Sequence, residues 1–146
     1  MADNIFVALG DFLQIAIPCI GFAVSFLHGD REGTKQILYA VLLMAFLVQG
    51  IKFITHDMPI GIRPHGGKGS FPSGHTASSF QGALFLWKRR GWKWGILVIG
   101  LAGLTAYSRI YGHYHHWRDV IVGVFIAFLV NKWLVTPPKI NDSSFS

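Results

Sequence analysis

The stretch FPSGHTAS, residues 71–78, joins a glycine-rich loop to a hydrophobic run and raises the question of what it holds. Ser73 is a suitable N-cap for a helix that begins at His75, and Gly74 lets backbone come close to a ligand. The unpaired N–H groups of a helix N-terminus also suit phosphate. Taken alone, the stretch favours the simpler explanation of a capped helix after a proline turn, because such residues are common at loop–helix junctions.

The composition around this stretch is that of a membrane protein. Of 146 residues, 51% are hydrophobic and 14% are charged, whereas a soluble domain carries about a quarter charged residues. Five apolar segments follow one another, and the first two easily reach the roughly 20 residues that cross a bilayer. They cover residues 5–27, 36–54, 73–87, 95–111 and 118–135. The last three are slightly short, and we expect them to begin or end at a buried polar pocket.

The cations predict the orientation of these segments. Eight of the 13 Lys and Arg residues fall on one side of the predicted bundle, and five fall on the side of the His-rich loops. The first set is Arg31, Lys35, Lys88, Arg89, Arg90, Lys93, Lys132 and Lys139. The positive-inside rule places that set in the cytoplasm, so the amino terminus and the His-rich loops face outward. All five tryptophans fall near segment ends, as in an aromatic belt.

Other features of the chain narrow its class. The cations occupy short loops and form no long basic helix, so we predict no nucleic-acid partner. Cys19 is the one cysteine and has no partner for a disulfide within the chain. The start lacks a basic region, so the first segment is expected to stay as a helix and not to be cleaved. Asp11 lies within it, and polar groups there are functional candidates, but we favour a place near the outer interface.

A second polar cluster, SRIYGHYHHWRD, covers residues 108–119. His115 and Asp119 are four apart and share one face if helical. A carboxylate at that position can accept the Nδ1–H of His115 and leave Nε2 with a lone pair for attack. Ser108 and Arg109 end the preceding helix and can bind phosphate oxygens. The simpler alternative is a loop before a helix with an acidic first turn.

The histidines of this cluster also suggest a metal site, because His113, His115 and His116 stand close together in the sequence. Carboxylate ligands are scarce, and no set of ligands has a recognised spacing. We therefore predict neither a metal nor another cofactor.

A third cluster, KFITHDMPIGIRPHGGKGS, covers residues 52–70 and lies on the same predicted side. Arg63 precedes Pro64 in a glycine-rich loop, and a guanidinium group matches phosphate with two parallel hydrogen bonds. The alternative is a cationic outer loop without a ligand.

Together the three clusters resemble the type 2 phosphatidate phosphatase superfamily, which includes membrane lipid phosphatases and vanadium haloperoxidases. Its pattern is K-x6-RP, then PSGH, then SR-x5-H-x3-D. The second and third motifs are complete here, and the resemblance covers about the last two thirds of the chain. The first motif departs, because His56 stands where the lysine is expected and the nearest upstream lysine is Lys52. We favour Lys52 with a four-residue insertion, since it ends a hydrophobic helix as the family lysine does.

The resemblance implies a role for each matching residue. His115 would attack phosphorus and form a phosphohistidine, Asp119 would orient it, and His75 would protonate the leaving oxygen and then activate water. The residues expected to hold the phosphate oxygens are Lys52, Arg63, Ser73, Gly74 and Arg109. The two histidines would need opposite protonation states at the attack step. The cations would supply the charge stabilisation that other phosphoryl-transfer enzymes often take from Mg²⁺.

These inferences predict an all-α, polytopic membrane helix bundle of about five transmembrane helices, with the active site at the outer membrane interface. Membrane members of the family usually have six helices, so one amino-terminal helix outside the catalytic core is expected to be missing. Residues 1–136 would form one integral membrane catalytic domain, and 137–146 a polar tail. We expect a bacterial inner (plasma) membrane protein with its site facing the periplasm.

The expected activity is that of a membrane lipid phosphatase on a phosphomonoester or diphosphate. A phosphotransferase between lipids and a non-catalytic protein that binds lipid headgroups are the alternatives. The expected partners are a lipid phosphate and the bilayer, and the sequence predicts no oligomeric state. Phosphatidate, phosphatidylglycerol phosphate, a polyprenyl diphosphate and lipid A phosphate all suit a cationic pocket at the interface.

Overall fold

The computed structural model describes residues 2–138, with side chains from Ile5 onward, so Lys139 and most of the predicted tail lie outside the described residues. Within that range the chain forms five long helices and one short 3₁₀ turn at Pro59–Gly61. The helices are α1 (Ala2–Leu27), α2 (Arg31–Thr55), α3 (Gly74–Arg90), α4 (Trp92–Tyr111) and α5 (Trp117–Leu134). The predicted all-α bundle of about five helices is confirmed.

The lengths of the helices follow those of the predicted apolar segments, except in α4. In the described part of the chain, α1 from Ile5, α2 and α4 are each long and apolar enough to cross a membrane. Helices α3 and α5 have 17 and 18 residues and do not reach that standard. Segment four was expected to be short, but α4 extends to 20 residues because it already begins at Trp92.

Helix α3 lies at the centre of the bundle and packs against each of the other four long helices. Its Phe85 and Leu86 are fully buried, together with Ile17 of α1, Ile37 of α2 and Val130 of α5. The outer surface is apolar as well: the exposed fraction is 75% for Phe46 and 86% for Phe53. Large exposed apolar surfaces are rare in soluble monomers, so this surface fits a bilayer.

One end of the bundle is held by a buried ion pair. Arg89, near the end of α3, donates to Asp30 through Nε at 3.0 Å and Nη2 at 2.5 Å, and to the Thr136 carbonyl through Nη1 at 2.8 Å. Burial raises the pKa of Asp30, but the hydrogen bonds from Arg89 and from the Gly33 backbone outweigh it and lower that pKa. This contact ties the α1–α2 connection to α3 and to the segment after α5.

The opposite end of the bundle collects the three polar clusters. Successive long helices run in alternating directions, so the last turn of α2, the first turns of α3 and α5 and the last turn of α4 meet there. The first half of α1 reaches the same region, because Asp11 contacts both His75 and Arg109. Residues from distant parts of the sequence therefore share one end.

Candidate active site

The starts of α3 and α5 are in direct contact and place two histidine-bearing segments side by side. The backbone N–H of Ser73 donates to the Asp119 carbonyl at 2.9 Å. A Cβ atom added at Gly123 would lie 2.7 Å from the Ser73 carbonyl oxygen, so a larger residue there would push α5 away. The glycine therefore sets how closely His115 and Asp119 approach the PSGH segment.

His115 and Asp119 lie next to each other, but not in the hydrogen bond that the sequence predicts. His115 Nδ1 is 3.6 Å from Asp119 Oδ2 and has no hydrogen-bond partner among the described residues. The fully buried Asp119 accepts hydrogen bonds on Oδ2 from the Ser70 hydroxyl and, at 2.8 Å, from the His116 backbone. Ser70 and the backbone thus hold the carboxylate at ion-pair distance from the imidazole.

The surroundings of His115 keep its imidazole neutral. Burial is the main cause, and the positive charges of Lys52 and Arg63 add to it, while Asp119 acts in the opposite direction. Together they lower the pKa of His115 to about 4. At neutral pH one ring nitrogen therefore carries a lone pair, as a nucleophile requires.

This low pKa predicts how activity on a phosphate ester depends on pH. The profile of kcat/KM reports ionisations of the free enzyme. If neutral His115 is the reacting form, its protonation should make kcat/KM decline as the pH falls through about 4. The profile should be recorded with two substrates whose phosphate pKa values differ, since a limb that belongs to the substrate moves with it. A substrate-independent decline near 6.5, the value of an unperturbed histidine, would contradict this assignment.

His75 lies in the first turn of α3 and contacts Asp11, for which the sequence predicted a place near the outer interface but no contact with the site. Its Nε2 is 2.9 Å from Asp11 Oδ1, and the same oxygen accepts from Arg109 Nη1 at 2.7 Å. The interpretation of Asp11 as an interfacial residue is therefore incomplete, because its carboxylate contacts two predicted site residues. The sequence did contain a signal for a functional role of Asp11, because a carboxylate well inside a predicted spanning helix is a functional candidate.

The two candidates for the first-motif cation occupy different surroundings. Lys52 is partly buried, and its Nζ donates to the Gly69 carbonyl at 2.5 Å. His56 is exposed, and its Nδ1 lies 3.2 Å from the carboxylate of the neighbouring Asp57. Both residues line the same cavity, but Lys52 is the one whose charge acts on buried His115.

Tyr114 brings the two predicted phosphate-binding arginines together. The guanidinium carbon of Arg63 lies 6.0 Å from the centre of its ring, and that of Arg109 lies 5.6 Å away. A cation over an aromatic face at this distance is attracted to the ring. Arg63 Nε is buried without a hydrogen-bond partner in the described part of the chain. Sequence reasoning missed Tyr114, because nothing in its spacing marks it.

Ser73 and Gly74 are neighbours at the start of α3 but have different surroundings. Ser73 is fully buried, and its Oγ accepts from the Thr76 backbone at 3.4 Å and pairs with the Thr76 hydroxyl at 2.9 Å. Gly74 lines the cavity. The Ser73 side chain therefore acts as the predicted helix cap, and its hydroxyl is already paired within α3.

The other histidines of the second cluster do not gather around a common point. His116 Nε2 lies 3.2 Å from the Ile62 carbonyl, and His113 is exposed in the preceding turn. Within residues 2–138, no group of three or more His, Cys, Asp or Glu side chains is placed to hold a metal ion.

A cavity of about 1150 Å³ joins the polar end to an apolar wall. Its polar lining includes Asp11, Lys52, Arg63, His75, Arg109 and His115. The rest of the wall comes mainly from one face of α2, with Val41, Met44, Ala45, Phe46, Val48 and Phe53. The arrangement provides cations and histidines for an anion beside a surface that suits an alkyl chain.

Several known proteins of similar sequence are named as lipid phosphatases. The chain is 28% identical over 134 residues to a lipid A 1-phosphatase of Helicobacter pylori strain J99, covering 88% of this chain and 66% of that protein. It is 30% identical over 152 residues to the lipid A 4'-phosphatase of the same strain, covering 92% and 76%. The chain thus spans just under two thirds of the lipid A 1-phosphatase.

The fold has a solved counterpart. The crystal structure of Aquifex aeolicus LpxE matches with a TM-score of 0.76 at 23% identity, covering 90% of this chain and 83% of that one. A family model described as the PAP2 superfamily matches residues 33–139, which include all three motifs. The resemblance carried by the PSGH and SR-x5-H-x3-D motifs is therefore confirmed, and the chain belongs to the PAP2 superfamily.

Proposed function

We propose that this protein is a membrane lipid phosphatase that hydrolyses a phosphate ester through a phosphohistidine intermediate. The observation that carries the proposal is a cavity that joins His75, His115 and three cations to the apolar face of α2. A soluble phosphate compound would need only the polar end. A lipid phosphate would use both parts.

The apolar wall has the dimensions of a site for a lipid chain. Val41, Met44 and Val48, followed by Lys52, recur every three or four positions along α2, so they form one continuous stripe. From Val41 to Lys52 the stripe is roughly 16 Å long, about half of the hydrocarbon thickness of a bilayer. Phe46 and Phe53 line the cavity and are also exposed on the outer surface of the bundle. A lipid could therefore enter from the bilayer with its phosphate toward Lys52.

The polar end supports a two-step displacement. The lone pair of neutral His115 forms a P–N bond while the ester P–O bond breaks, and the leaving oxygen takes a proton from His75. Water then attacks the phosphohistidine, gives a proton to His75, and the P–N bond breaks to release phosphate and neutral His115. Lys52, Arg63 and Arg109 stabilise the charge on the phosphoryl oxygens during both steps. The N–H groups at the start of α3, beside Gly74, add donors of the same kind.

The names of the relatives direct the choice of substrate. Two Helicobacter pylori proteins similar to this chain are named lipid A 1-phosphatase and lipid A 4'-phosphatase, and an Arabidopsis thaliana relative is named lipid phosphate phosphatase 1. Lipid A phosphate is thus the first substrate to test.

The test is phosphate release by the purified protein in detergent, with His115→Ala as the inactive control. The panel is lipid A, phosphatidate, phosphatidylglycerol phosphate and a polyprenyl diphosphate. We expect release from at least one lipid, survival of that activity in EDTA because carboxylates are scarce in the sequence, and inhibition by vanadate as a mimic of five-coordinate phosphorus. Phosphate found in a second lipid and not in solution would indicate a transferase. Binding without release from any lipid would indicate a non-catalytic protein.

We also propose that the site faces the outside of the membrane. The eight-to-five division of Lys and Arg residues is the reason, through the positive-inside rule. In a Cys19→Ser background, an impermeant thiol reagent applied to intact cells should label Met58→Cys and spare Lys93→Cys. Both positions are exposed and lie at opposite ends of the bundle. The reverse labelling pattern would invert the orientation.

A further inference from the structure

Asp11 connects α1 to two residues of the candidate site through one oxygen atom. Oδ1 lies 2.9 Å from His75 Nε2 and 2.7 Å from Arg109 Nη1. The residue precedes the part of the chain that the family model matches, which begins at residue 33. The three sequence motifs therefore assign it no role.

The contact with His75 defines which proton the histidine can transfer. An ionised carboxylate only accepts hydrogen bonds, so His75 Nε2 must carry the hydrogen that points to Asp11. A histidine that acts as an acid carries a hydrogen on each ring nitrogen. With Nε2–H directed to Asp11, the Nδ1–H is the proton that remains for a leaving oxygen. Burial and the positive charge of Arg109 lower the pKa of His75, and the negative charge of Asp11 acts against them in favour of the cationic form of the ring.

The contact with Arg109 sets the plane of the guanidinium group. Of the five N–H donors of an arginine, three are directed to Ser108 Oγ, Asp11 Oδ1 and the Val7 carbonyl, which leaves two without a hydrogen-bond partner among the described residues. The exposed fraction of Arg109 is only 3%, so its position is set by these partners. Val7 and Asp11 lie one helical turn apart on α1, and together they accept hydrogen bonds from the two terminal nitrogens of the Arg109 guanidinium group.

Close packing of α1 makes these contacts possible. A Cβ atom added at Gly10 would lie 2.0 Å from Ser108 Oγ and 2.7 Å from Arg109 Nη2. Only glycine leaves room for α1 to approach the Ser108–Arg109 segment this closely. Helix α1 is therefore built against the site, in addition to packing on α3.

We propose that Asp11 is a positioning residue that presents His75 as the proton donor to the leaving group and fixes Arg109 for the phosphate. The inference rests on the proposed phosphatase activity. In the first step the P–O bond breaks, its electron pair goes to the leaving oxygen, and His75 Nδ1–H supplies the proton. Asp11 takes part through its hydrogen bond to Nε2 and exchanges no proton.

The test compares leaving groups in the Asp11→Asn variant. Asparagine keeps an oxygen acceptor for Arg109 but removes the charge that supports the His75 cation. An alkyl phosphate needs a proton on its leaving oxygen, whereas an aryl phosphate with an acidic phenol needs little. General acid catalysis contributes about a hundredfold or more, so we expect kcat on the alkyl phosphate to fall by at least about tenfold. On the aryl phosphate it should fall by less than about threefold.

Matched variants separate this role from a structural one. Asp57→Asn removes an exposed carboxylate from the loop on the same side and should leave both rates unchanged. Asp11→Glu keeps the charge and should recover part of the alkyl phosphate rate. Size-exclusion profiles in detergent establish that each variant is folded.

Three results would overturn the inference. Equal losses on both substrates would make Asp11 a structural contact. A lower KM with undiminished kcat would show that its carboxylate competes with phosphate for Arg109 and His75. An unmodified protein without activity on either substrate would remove the proposed function itself, and the inference with it.

Discussion

The His115→Ala variant is expected to release no phosphate and to carry no covalent phosphate label. Alanine has no atom that can bond to phosphorus, so the first displacement cannot occur. The low pKa of His115, at about 4, makes it the neutral imidazole at working pH. The fully buried Asp119 lies 3.6 Å from its Nδ1 and can stabilise the cation that forms as the P–N bond is made. The measurement is labelling from a radioactive phosphate donor, quenched under conditions that preserve phosphohistidine.

The same experiment on His75→Ala should give the opposite result. With an aryl phosphate, whose leaving group needs little protonation, His115 can still attack. The water of the second step then lacks its base, so the phosphohistidine should accumulate while turnover falls by about a hundredfold or more. Label in His75→Ala and none in His115→Ala would separate the two roles.

Other histidines provide the control for this assignment. His113 and His116 lie on either side of His115 in the sequence, but His113 is exposed and His116 contacts the Ile62 carbonyl. Their alanine variants should keep the label. If His115→Ala is labelled as strongly as the unmodified protein, the nucleophile lies elsewhere and these two are the next residues to test.

The Lys52→Ala variant is expected to lose about a hundredfold or more in kcat, the usual cost of removing a group that stabilises transition-state charge. Lys52 is partly buried beside the Gly69 carbonyl and lines the cavity near Arg63 and His115. In the proposed mechanism its positive charge would act where negative charge develops on the phosphoryl oxygens, and its partial burial would reduce screening by water. Phosphate release with a saturating lipid substrate measures the loss.

His56→Ala is the matched control, because His56 occupies the position that the K-x6-RP spacing gives to lysine. It lines the same cavity but is exposed and lies beside Asp57. We expect its kcat to stay within about threefold of the unmodified protein, since exposed charges contribute little. An inactive His56→Ala variant beside a nearly normal Lys52→Ala would reverse the assignment of the first motif.

Sequence patterns predicted the class of fold because charge content and apolar runs add up along the chain, and helix capping depends on neighbouring residues. The scarcity of charge, the apolar runs and the cations between them indicated a helical membrane bundle without reference to any contact. The start of α3 was placed within one residue, since Ser73 caps its own helix through Thr76. The PSGH and SR-x5-H-x3-D motifs indicated the family because their residues lie close together in sequence and their spacing is specific.

The contacts within the site depend on how α1 and Tyr114 pack, and the spacing of residues in the sequence motifs predicts neither. Asp11 meets His75 and Arg109 only because Gly10 lets α1 approach Ser108 closely. Tyr114 reaches both arginines from a turn whose shape follows from the end of α4.

One interaction near the motifs also differs from the sequence-based expectation. The Asp119 carboxylate accepts from Ser70 and the His116 backbone and not from His115 Nδ1. The residue types in the motifs therefore determined which chemistry the chain can carry. The packing of five helices decided which donors, acceptors and charges face each other, because those distances depend on residues far apart in the sequence.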